Sequence, residues 1–245
     1  MQQISPRING VQYLIKNQDD CIQNLLLNGH QWNKEIVDII RYFARTRRHF
    51  LNVGAHIGSV CLPIAHVINR VTAIEAYPPT YEHLVENIAL NNLRNVRAIN
   101  IAVGNSEEDA FFMSNKICPI ENKDRISNNT GGMHVFTADD IKNNIRSANL
   151  SDQKVKHRIS KLDNLDVDDF DIMLVDIEGF EFPFLLGAEN KIRKNKPIII
   201  IELWNDAKRK NENMAETQQE VINYIFSLGY QCIRNIGEDF IFVPI

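Results

Sequence analysis

Long apolar segments, paired cysteines and an excess of basic residues are all missing from this chain of 245 residues. No apolar run approaches the roughly 18 residues that a membrane-spanning helix needs, and the polar start does not resemble a secretory signal. The 27 basic and 31 acidic side chains give a formal net charge of −4, which offers no support for a nucleic-acid partner. The hydrophobic content of 44% is ordinary for a soluble globular protein without a membrane span.

The four cysteines, Cys21, Cys61, Cys118 and Cys232, lie far apart in the sequence. There is no Cys-x-x-Cys pair and no histidine at the spacing of a zinc site. Isolated cysteines in a chain of this size are typical of a reducing compartment, where they behave as small hydrophobic residues. The sequence therefore disfavours a disulfide framework and predicts a cytoplasmic protein.

From residue 49 onward, short β-branched runs alternate with helical patterns, which indicates an α/β fold. We predict a Rossmann-like, doubly wound sheet of seven strands, mostly parallel, with an antiparallel C-terminal hairpin. The expected strands are residues 50–53, 71–76, 96–103, 171–176, 197–203, 230–235 and 239–243. The expected helices follow Gly58, begin at a Thr80 N-cap, and cover about 180–195 and 215–228.

The predicted organisation is one Rossmann-like domain, residues 49–245, preceded by an N-terminal helical extension, residues 1–48. A polar stretch within about 105–160 interrupts the alternation and contains the sequence Asn-Asn-Thr-Gly-Gly. We interpret it as an insertion or cover, in which Ile141 and Ile145 permit a short helix. No linker divides the chain into two domains.

Polar residues concentrate where the predicted strands end. In a doubly wound sheet, ligands bind beyond the carboxyl ends of the strands, so these side chains are expected to share one site. They are Asn52, His56, Glu75, Asp176, Glu178 and Glu202.

The turn after the first predicted strand indicates which nucleotide binds. Glu75 lies about twenty residues after Gly54, where an acid typically accepts hydrogen bonds from ribose hydroxyls. The G-x-G-x-x-G pattern for dinucleotides is absent, because Ala55 and His56 follow Gly54 and the next glycine is Gly58. S-adenosylmethionine has a ribose but no phosphate, so a looser turn suffices. The spacing therefore favours a methyl donor over a nicotinamide cofactor.

Several motifs in order resemble the FkbM-type S-adenosylmethionine-dependent methyltransferases, which have the class I methyltransferase fold. They are Asn-Val-Gly-Ala-His-Ile-Gly at 52–58, Ala-Ile-Glu-Ala-Tyr-Pro at 73–78, Leu-Val-Glu-Asn at 84–87, Ala-Val-Gly at 102–104, Asn-Thr-Gly-Gly at 129–132, Lys-Leu-Asp-Asn-Leu at 161–165, Asp-Ile-Glu-Gly-Phe-Glu at 176–181, Leu-Gly-Ala at 186–188 and Pro-Ile-Ile-Ile-Ile-Glu at 197–202. The D-x-E-G-x-E block is the most specific to this family, whereas the early motifs are shared with many class I methyltransferases. The family's first motif usually has Asp where this chain has Asn52, and Asn where it has His56.

The resemblance implies methyl transfer to a hydroxyl group of a carbohydrate or small molecule. The residues expected to bind S-adenosylmethionine are Asn52, Gly54, Ala55, His56, Gly58, Glu75, Ala76, Ala102, Val103 and Asp176. Asp176 is the first choice for the base that removes the hydroxyl proton, and Glu178 is a weaker candidate. Glu181 is expected to cap its helix rather than act in catalysis.

Three residues are expected near the acceptor: Glu202, Trp204 and His134. Each also has a structural interpretation: Glu202 could bind loop backbone, Trp204 could belong to the edge of the core, and the role of His134 is open. A divalent metal is possible but not expected, and its ligands would be Asp176 and Glu202.

The sequence leaves other functions open. An NAD(P)-dependent enzyme shares the fold and the acid at Glu75, but the glycine spacing and the lack of a Tyr-x-x-x-Lys pair disfavour it. A catalytically inactive binding module is a third interpretation, for which Asn52 is the only indication. A nucleic-acid methyltransferase is weakened by the acidic net charge. The acceptor, the methylated position and the oligomeric state are not determined by the sequence.

Overall fold

The computed structural model of the chain describes residues 3–114, 133–137, 155–212 and 214–245. Its strands are β1 (Gln3–Ile4), β2 (Leu14–Ile15), β3 (His49–Val53), β4 (Arg70–Ile74), β5 (Val96–Ile99), β6 (Ala102–Val103), β7 (Glu108–Ser114), β8 (Met133–Thr137), β9 (Val155–Ser160), β10 (Ile172–Val175), β11 (Ile198–Glu202), β12 (Tyr230–Ile236) and β13 (Asp239–Pro244). Its helices are α1 (Cys21–Leu27), α2 (Lys34–Ala44), α3 (Cys61–Ala65), α4 (Pro78–Leu90), α5 (Glu181–Gly187), α6 (Glu189–Asn195), α7 (Asp206–Asn211) and α8 (Gln218–Ser227). Among the helices of these ranges, none has the length and apolar character needed to cross a membrane.

Seven strands form the main sheet in the order β12-β13-β11-β10-β3-β4-β5. Strands β3, β4, β5, β10 and β11 are parallel, while β13 is antiparallel to both β11 and β12. The central strands β3 and β10 are buried along their whole length, as expected for a parallel sheet with both faces covered. The predicted doubly wound, seven-stranded fold is confirmed. The chain winds in one direction from β3 to β5 and in the other through β10 and β11, so β3 and β10 flank the switch point.

The prediction of one continuous strand over residues 96–103 was wrong. Strand β5 ends at Ile99, and β6 belongs to a second sheet with the order β6-β9-β7-β8. The side-chain amide of Asn100 donates to the backbone oxygens of Glu75 and Ala76, at 2.9 and 3.0 Å. A side chain therefore satisfies the carbonyl groups that follow β4, and the backbone is released to pair elsewhere.

Three strands of the second sheet, β7, β8 and β9, lie within the stretch that the sequence predicted to be a polar insertion or cover. Strand β7 pairs antiparallel with β8 and β9, and β6, from before this stretch, pairs parallel with β9. Strands β7, β8 and β9 were not predicted, because the stretch lacks the apolar alternation that marks a half-buried strand. The short helix suggested at Ile141 and Ile145 lies outside the described residues.

Three helix boundaries differ from the predictions. Helix α4 starts at Pro78 with Tyr77 as its N-cap, so Thr80 is a buried first-turn residue and not the cap. The single helix predicted over 180–195 is divided at Ala188 into α5 and α6. Helix α8 starts at Gln218 rather than near residue 215, because Thr217 and Glu220 form a reciprocal capping box. The short helix α7 was not predicted.

The N-terminal residues pack against the same face of the main sheet as α3. Buried side chains of Tyr13, Leu26 and Ile36 share one hydrophobic cluster with residues of β3, β10 and β11. Asn87 of α4 accepts a hydrogen bond from the backbone of Leu14 at 2.8 Å. Because part of the core comes from before residue 48, the N-terminal segment helps to stabilise the fold. The domain boundary at 48/49 stays a prediction.

Candidate functional site

A cavity of about 280 Å³ opens at the carboxyl ends of β3, β4, β10 and β11, at the switch point of the sheet. The residues that line it are Cys21, Ile22, Trp32, Asn52, Val53, Gly54, Ala55, His56, Ser59, Val60, Ile74, Glu75, Ala76, Tyr77, Ile101, Ala102, Val103, Leu174, Asp176, Ile177, Glu178, Phe180 and Glu202. The structure therefore brings together nine of the ten residues predicted to bind the donor. Binding of S-adenosylmethionine by these nine residues stays a prediction.

The glycine turn after β3 brings two strand ends into direct contact. Gly54 has a φ of +81°, and a Cβ atom added to it would lie 1.8 Å from the backbone oxygen of Asp176. Only glycine fits this position without moving the end of β10. Gly58 is the predicted donor residue that does not line the cavity. A Cβ there would meet Leu62 and Leu84 at 2.6 and 2.9 Å, so its role is close packing of the turn.

Glu75 closes the turn from the neighbouring strand end. Its Oε2 accepts from the backbone N–H of His56 at 2.8 Å, and its Oε1 accepts from the N–H of Tyr77 at 2.9 Å. Burial raises the pKa of Glu75 to about 7, although these backbone hydrogen bonds oppose the shift. Each carboxylate oxygen can accept a further hydrogen bond, so the group can receive ribose hydroxyls without giving up the loop.

Asn52 presents an unsatisfied polar atom to the cavity. The side chain is 1% exposed, and its Oδ1 has no hydrogen-bond partner. Its amide nitrogen lies 3.5 Å from the backbone oxygen of Val53, which is a weak contact. A buried acceptor without a donor is rare in folded proteins and indicates a place for a ligand.

Part of the cavity lining is apolar. It consists of Ala76, Ala102 and Val103 with Ile101 and Phe180 beside them. Ala102 and Val103 are 2% and 4% exposed, because β6 holds them in the second sheet. The small side chains leave flat apolar space of the kind that a nucleobase needs.

Three acids follow one another across adjacent strands, and we call them the acidic row: Asp176, Glu202 and Asp239. The register pairs Val175 of β10 with Ile201 of β11, so Asp176 and Glu202 come next to each other. Glu202 is in turn paired with Asp239 of β13. Paired residues point to the same face of a sheet, and like charges placed side by side repel each other.

The repulsion within the acidic row is visible in its pKa values. The pKa of Asp176 is raised well above its usual range by burial and then by Glu202 and Glu178. The pKa of Asp239 is raised to about 6, mainly by burial and secondarily by Glu202. Such strongly perturbed carboxyl groups in a cleft are typical of functional sites.

The D-x-E-G-x-E block turns sharply after β10. Glu178 and Gly179 have φ values of +54° and +90°, and the first of these is uncommon for a residue with a side chain. Burial and the neighbouring Glu202 raise the pKa of Glu178 to about 8. Glu181 accepts from the backbone N–H of Gly179 at 2.9 Å and of Ile177 at 3.3 Å. Glu181 is the first residue of α5 and binds the loop before the helix, whereas the N-cap is Phe180 and makes no side-chain capping hydrogen bond. The predicted capping role of Glu181 is therefore wrong, and the side chain instead fixes the turn after β10.

His56 lines the cavity in an unusual backbone conformation, with a φ of +50°. Burial lowers the pKa of its imidazole to about 4. The ring is therefore neutral near pH 7 and adds no positive charge to the site.

The three predicted acceptor residues are separated by the structure. Glu202 lines the cavity, whereas Trp204 is 1% exposed and is not part of the lining. The indole N–H of Trp204 donates to Oε2 of Glu202 at 2.9 Å, and the Lys208 ammonium lies 3.8 Å from the ring centroid. Trp204 thus orients an acid of the cavity instead of facing it. His134 belongs to β8, where it pairs with Met113, and its predicted substrate contact lies outside what the structure describes.

Three lining residues come from the N-terminal segment, in which the sequence predicted no individual site residue: Cys21 and Ile22 of α1, and Trp32 before α2. Asp239, which pairs with Glu202 outside the lining, was also missed. None of these lies in a recognisable motif, and only the folded topology brings them to these positions. Among the described residues, no group of three or more His, Cys, Asp or Glu side chains is arranged to hold a metal ion.

The sheet order, the glycine turn and the acid at the end of β4 define the class I methyltransferase fold. Two solved structures are similar to it. An FkbM methyltransferase from Methylobacillus flagellatus is 15% identical with a TM-score of 0.52, and the match covers 80% of this chain and 43% of that one. A candidate caffeoyl-CoA O-methyltransferase from Staphylococcus aureus is 14% identical with a TM-score of 0.52, and the match covers 87% of this chain and 85% of that one. At these identities the similarity concerns the fold.

The family follows from the sequence itself. Residues 52–232 match the model of the methyltransferase FkbM domain, which is well over half of the chain. The chain belongs to the FkbM methyltransferase family. It spans less than half the length of the Methylobacillus protein. A comparison with curated protein sequences gave no significant match.

Proposed function

We propose that this protein is an S-adenosylmethionine-dependent O-methyltransferase that acts on a hydroxyl group of a carbohydrate or small molecule. The observation that carries the proposal is that a single cavity joins the glycine turn, Glu75 and Asp176. We call the part around Gly54, Glu75 and Ala102 the donor half, and the part around Asp176, Glu178 and Glu202 the acceptor half.

The donor half fits S-adenosylmethionine in three respects. Glu75 can accept hydrogen bonds from the two ribose hydroxyls, as an acid at the end of the second parallel strand typically does. Ala76, Ala102 and Val103 offer apolar space to the adenine ring. The unpartnered Oδ1 of Asn52 can accept from the ammonium group of the amino-acid tail.

The acceptor half supplies a base for the acceptor hydroxyl. When bound, the donor provides a methyl group on a positively charged sulfur. Asp176 takes the hydroxyl proton while the new O–C bond forms and the C–S bond breaks, and the thioether leaves as a neutral group. Burial, with Glu202 and Glu178, raises the pKa of Asp176, which makes its ionised form a stronger proton acceptor than an ordinary aspartate. Glu178 is the alternative base. The cavity positions the reacting atoms in line, which can contribute on the order of 7–11 kcal/mol.

Titration calorimetry of the whole chain with S-adenosylmethionine, S-adenosylhomocysteine and NAD tests the donor. We expect micromolar binding of the first two and no binding of NAD, with loss of binding in Glu75→Ala. Glu86→Ala is the matched control, since Glu86 of α4 forms an ion pair with Lys16 and is not a lining residue. Binding of NAD alone would contradict the proposal and favour the nicotinamide alternative.

A methyl-transfer screen over sugars and small hydroxyl compounds, followed by mass spectrometry, tests the acceptor. We expect one class of acceptor to gain 14 Da per methyl group, and Asp176→Asn to abolish this gain. Donor binding without transfer to any acceptor would instead favour an inactive binding module. Transfer to an amine or carboxylate would overturn the O-methyltransferase proposal while leaving the donor intact.

A further inference from the structure

The cavity wall contains a tryptophan that comes from the N-terminal segment. Trp32 lines the cavity and is only partly buried, and its covered side packs against the hydrophobic cluster that contains Phe50 and Ile172. The other tryptophan of the chain, Trp204, is 1% exposed and is not part of the lining. Trp32 is therefore the tryptophan whose ring can touch a ligand in the cavity.

Hydrogen bonds of its two neighbours in the chain hold Trp32 in place. The side-chain amide of Gln31 donates to the backbone oxygen of Ser59 at 2.7 Å and to that of Trp32 at 2.8 Å. On the other side, the side chain of Asn33 donates a hydrogen bond to the carboxyl group of Asp239. Because the backbone around Trp32 is tied at both ends, a ligand that packs on the ring has little flexibility to remove, which favours binding.

These two anchors place Trp32 in the acceptor half. Ser59 lines the cavity after the glycine turn of β3, and Asp239 is paired with Glu202 at the end of β11. In the main sheet, β10 lies between β3 and β11, whereas β4, which leads to Glu75, lies on the other side of β3. The segment that carries Trp32 therefore passes over the end of β10 and away from the donor half.

An aromatic ring beside several carboxyl groups is suited to a sugar. A sugar ring has apolar C–H groups on its faces and hydroxyl groups around its edge. The faces gain dispersion energy against an aromatic ring, while the buried hydroxyls require hydrogen-bond partners. Asp176, Glu178 and Glu202 line the same cavity, and a carboxyl group accepts hydrogen bonds from hydroxyls whether it is protonated or ionised. A linear polyol has the hydroxyls without the flat face.

We infer that Trp32 determines the acceptor by stacking on a sugar ring, so that the substrate of this enzyme is a carbohydrate. This inference rests on the proposed function and narrows its acceptor from any small hydroxyl compound to a sugar. Trp32 takes no part in proton transfer. It holds the ring while one hydroxyl is presented to the base, which is the kind of positioning that catalysis by alignment requires.

Tryptophan fluorescence tests the contact without turnover. In Trp204→Phe, Trp32 is the tryptophan that remains, so the emission reports on its surroundings. The probes are the methyl α-glycosides of glucose, galactose, mannose, fucose and rhamnose, added to the whole chain in saturating S-adenosylhomocysteine, with glycerol as the control that lacks a ring. We expect a saturable blue shift with at least one glycoside and none with glycerol. The absence of a saturable shift with all five glycosides would overturn the inference.

Two substitutions of Trp32 separate stacking from packing. Trp32→Phe keeps a flat ring, whereas Trp32→Leu keeps apolar contact with the core and removes the flat face. For the glycoside that binds, we expect the KM of methyl transfer to rise about 30-fold in Trp32→Leu and about threefold in Trp32→Phe, with the donor Kd unchanged. Equal KM values in the two variants would show that the ring only packs against the core, and would overturn the inference.

Tyr42→Leu is the matched control for these substitutions. Tyr42 is an aromatic residue of α2 that is 65% exposed and lies outside the lining, so its loss should leave the KM as it is. Methyl transfer to a hydroxyl compound that is not a sugar, unchanged in Trp32→Leu, would overturn the inference and leave the proposed function standing. Failure of S-adenosylmethionine and S-adenosylhomocysteine to bind would overturn both.

Discussion

The donor half and the acceptor half of the cavity are built by opposite means. In the donor half, backbone geometry and small side chains set the shape, and the one acid, Glu75, accepts two backbone hydrogen bonds. In the acceptor half, Asp176, Glu178 and Glu202 stand close together with raised pKa values, and Glu178 is held at a positive φ. The first half is therefore shaped mainly by backbone and small side chains, whereas the second is dominated by carboxyl groups that repel one another.

The largest effect on turnover should come from substitution of the proposed base, Asp176. Asp176→Asn keeps the size of the side chain but cannot take up the hydroxyl proton, so we expect turnover to fall by roughly 10²–10⁴-fold. Affinity for S-adenosylmethionine should change by less than about tenfold, since the donor half is untouched. Single-turnover methyl transfer and calorimetry measure the two quantities. A parallel loss of both would show that the halves do not act separately.

Gly54→Ala should damage the donor half by shape alone. Its Cβ would lie 1.8 Å from the Asp176 oxygen, so the turn must move, and we expect donor affinity to fall about 100-fold. Gly237→Ala is the matched control, because Gly237 also has a positive φ but a Cβ there meets no atom within 4 Å. A normal donor affinity in Gly54→Ala would contradict the close approach of the two strand ends.

The repulsion in the acceptor half should appear as a pH dependence of stability. The pKa of Glu181 is raised to about 7 and that of Glu178 to about 8 in the folded chain, against an ordinary value of 4.5. The folded state therefore holds more protons than the unfolded state, and its stability falls as the pH rises through this window. We expect the free energy of unfolding to fall by on the order of 1 kcal/mol between pH 6.5 and 8.

Urea unfolding at several pH values measures this dependence, and Glu181→Gln should flatten it. The lowered pKa of His56, about 4, acts only between pH 4 and 6.5, and Glu75, with a pKa raised to about 7, adds to the fall within the chosen window. Stability that rises from pH 6.5 to 8 would mean that these acids are already ionised and compensated in the free protein.

The smallest effect should come from the group that orients Glu202. Trp204→Phe keeps most of the buried ring but removes the N–H that donates to Glu202. We expect KM for the acceptor to rise about threefold, because one hydrogen bond that orients the partly buried Glu202 is lost, with the donor Kd unchanged. A change in donor affinity instead would place Glu202 in the donor half.

The sequence predicts best those parts of the molecule whose residue pattern is compatible with only one structural role. The isoleucine run of β11 is only stable as a strand covered on both faces, and an acid after β4 has few roles other than ribose binding. The whole main sheet and the residues around its switch point were predicted for this reason. The D-x-E-G-x-E block was also placed correctly at the end of β10.

The features that the sequence did not predict depend on contacts between residues far apart in the chain. The end of β5 is determined by the Asn100 side chain reaching the carbonyls beyond β4, and nothing near Asn100 in the sequence signals that contact. The second sheet is stabilised by pairing among β6, β7, β8 and β9, whose own residues lack a clear alternating pattern. Trp32 and Asp239 reach the site region only because separate segments fold over the same sheet edge.

The position of Cys21, Ile22 and Trp32 has a consequence for how this enzyme could diversify. These residues form part of the cavity wall, yet they lie before residue 52, where the match to the family begins. A change in the leading segment can therefore alter which molecules fit without touching the motifs that handle the methyl donor. Under the proposed function, substitutions at these three lining positions are a route to new acceptors that leaves those motifs in place.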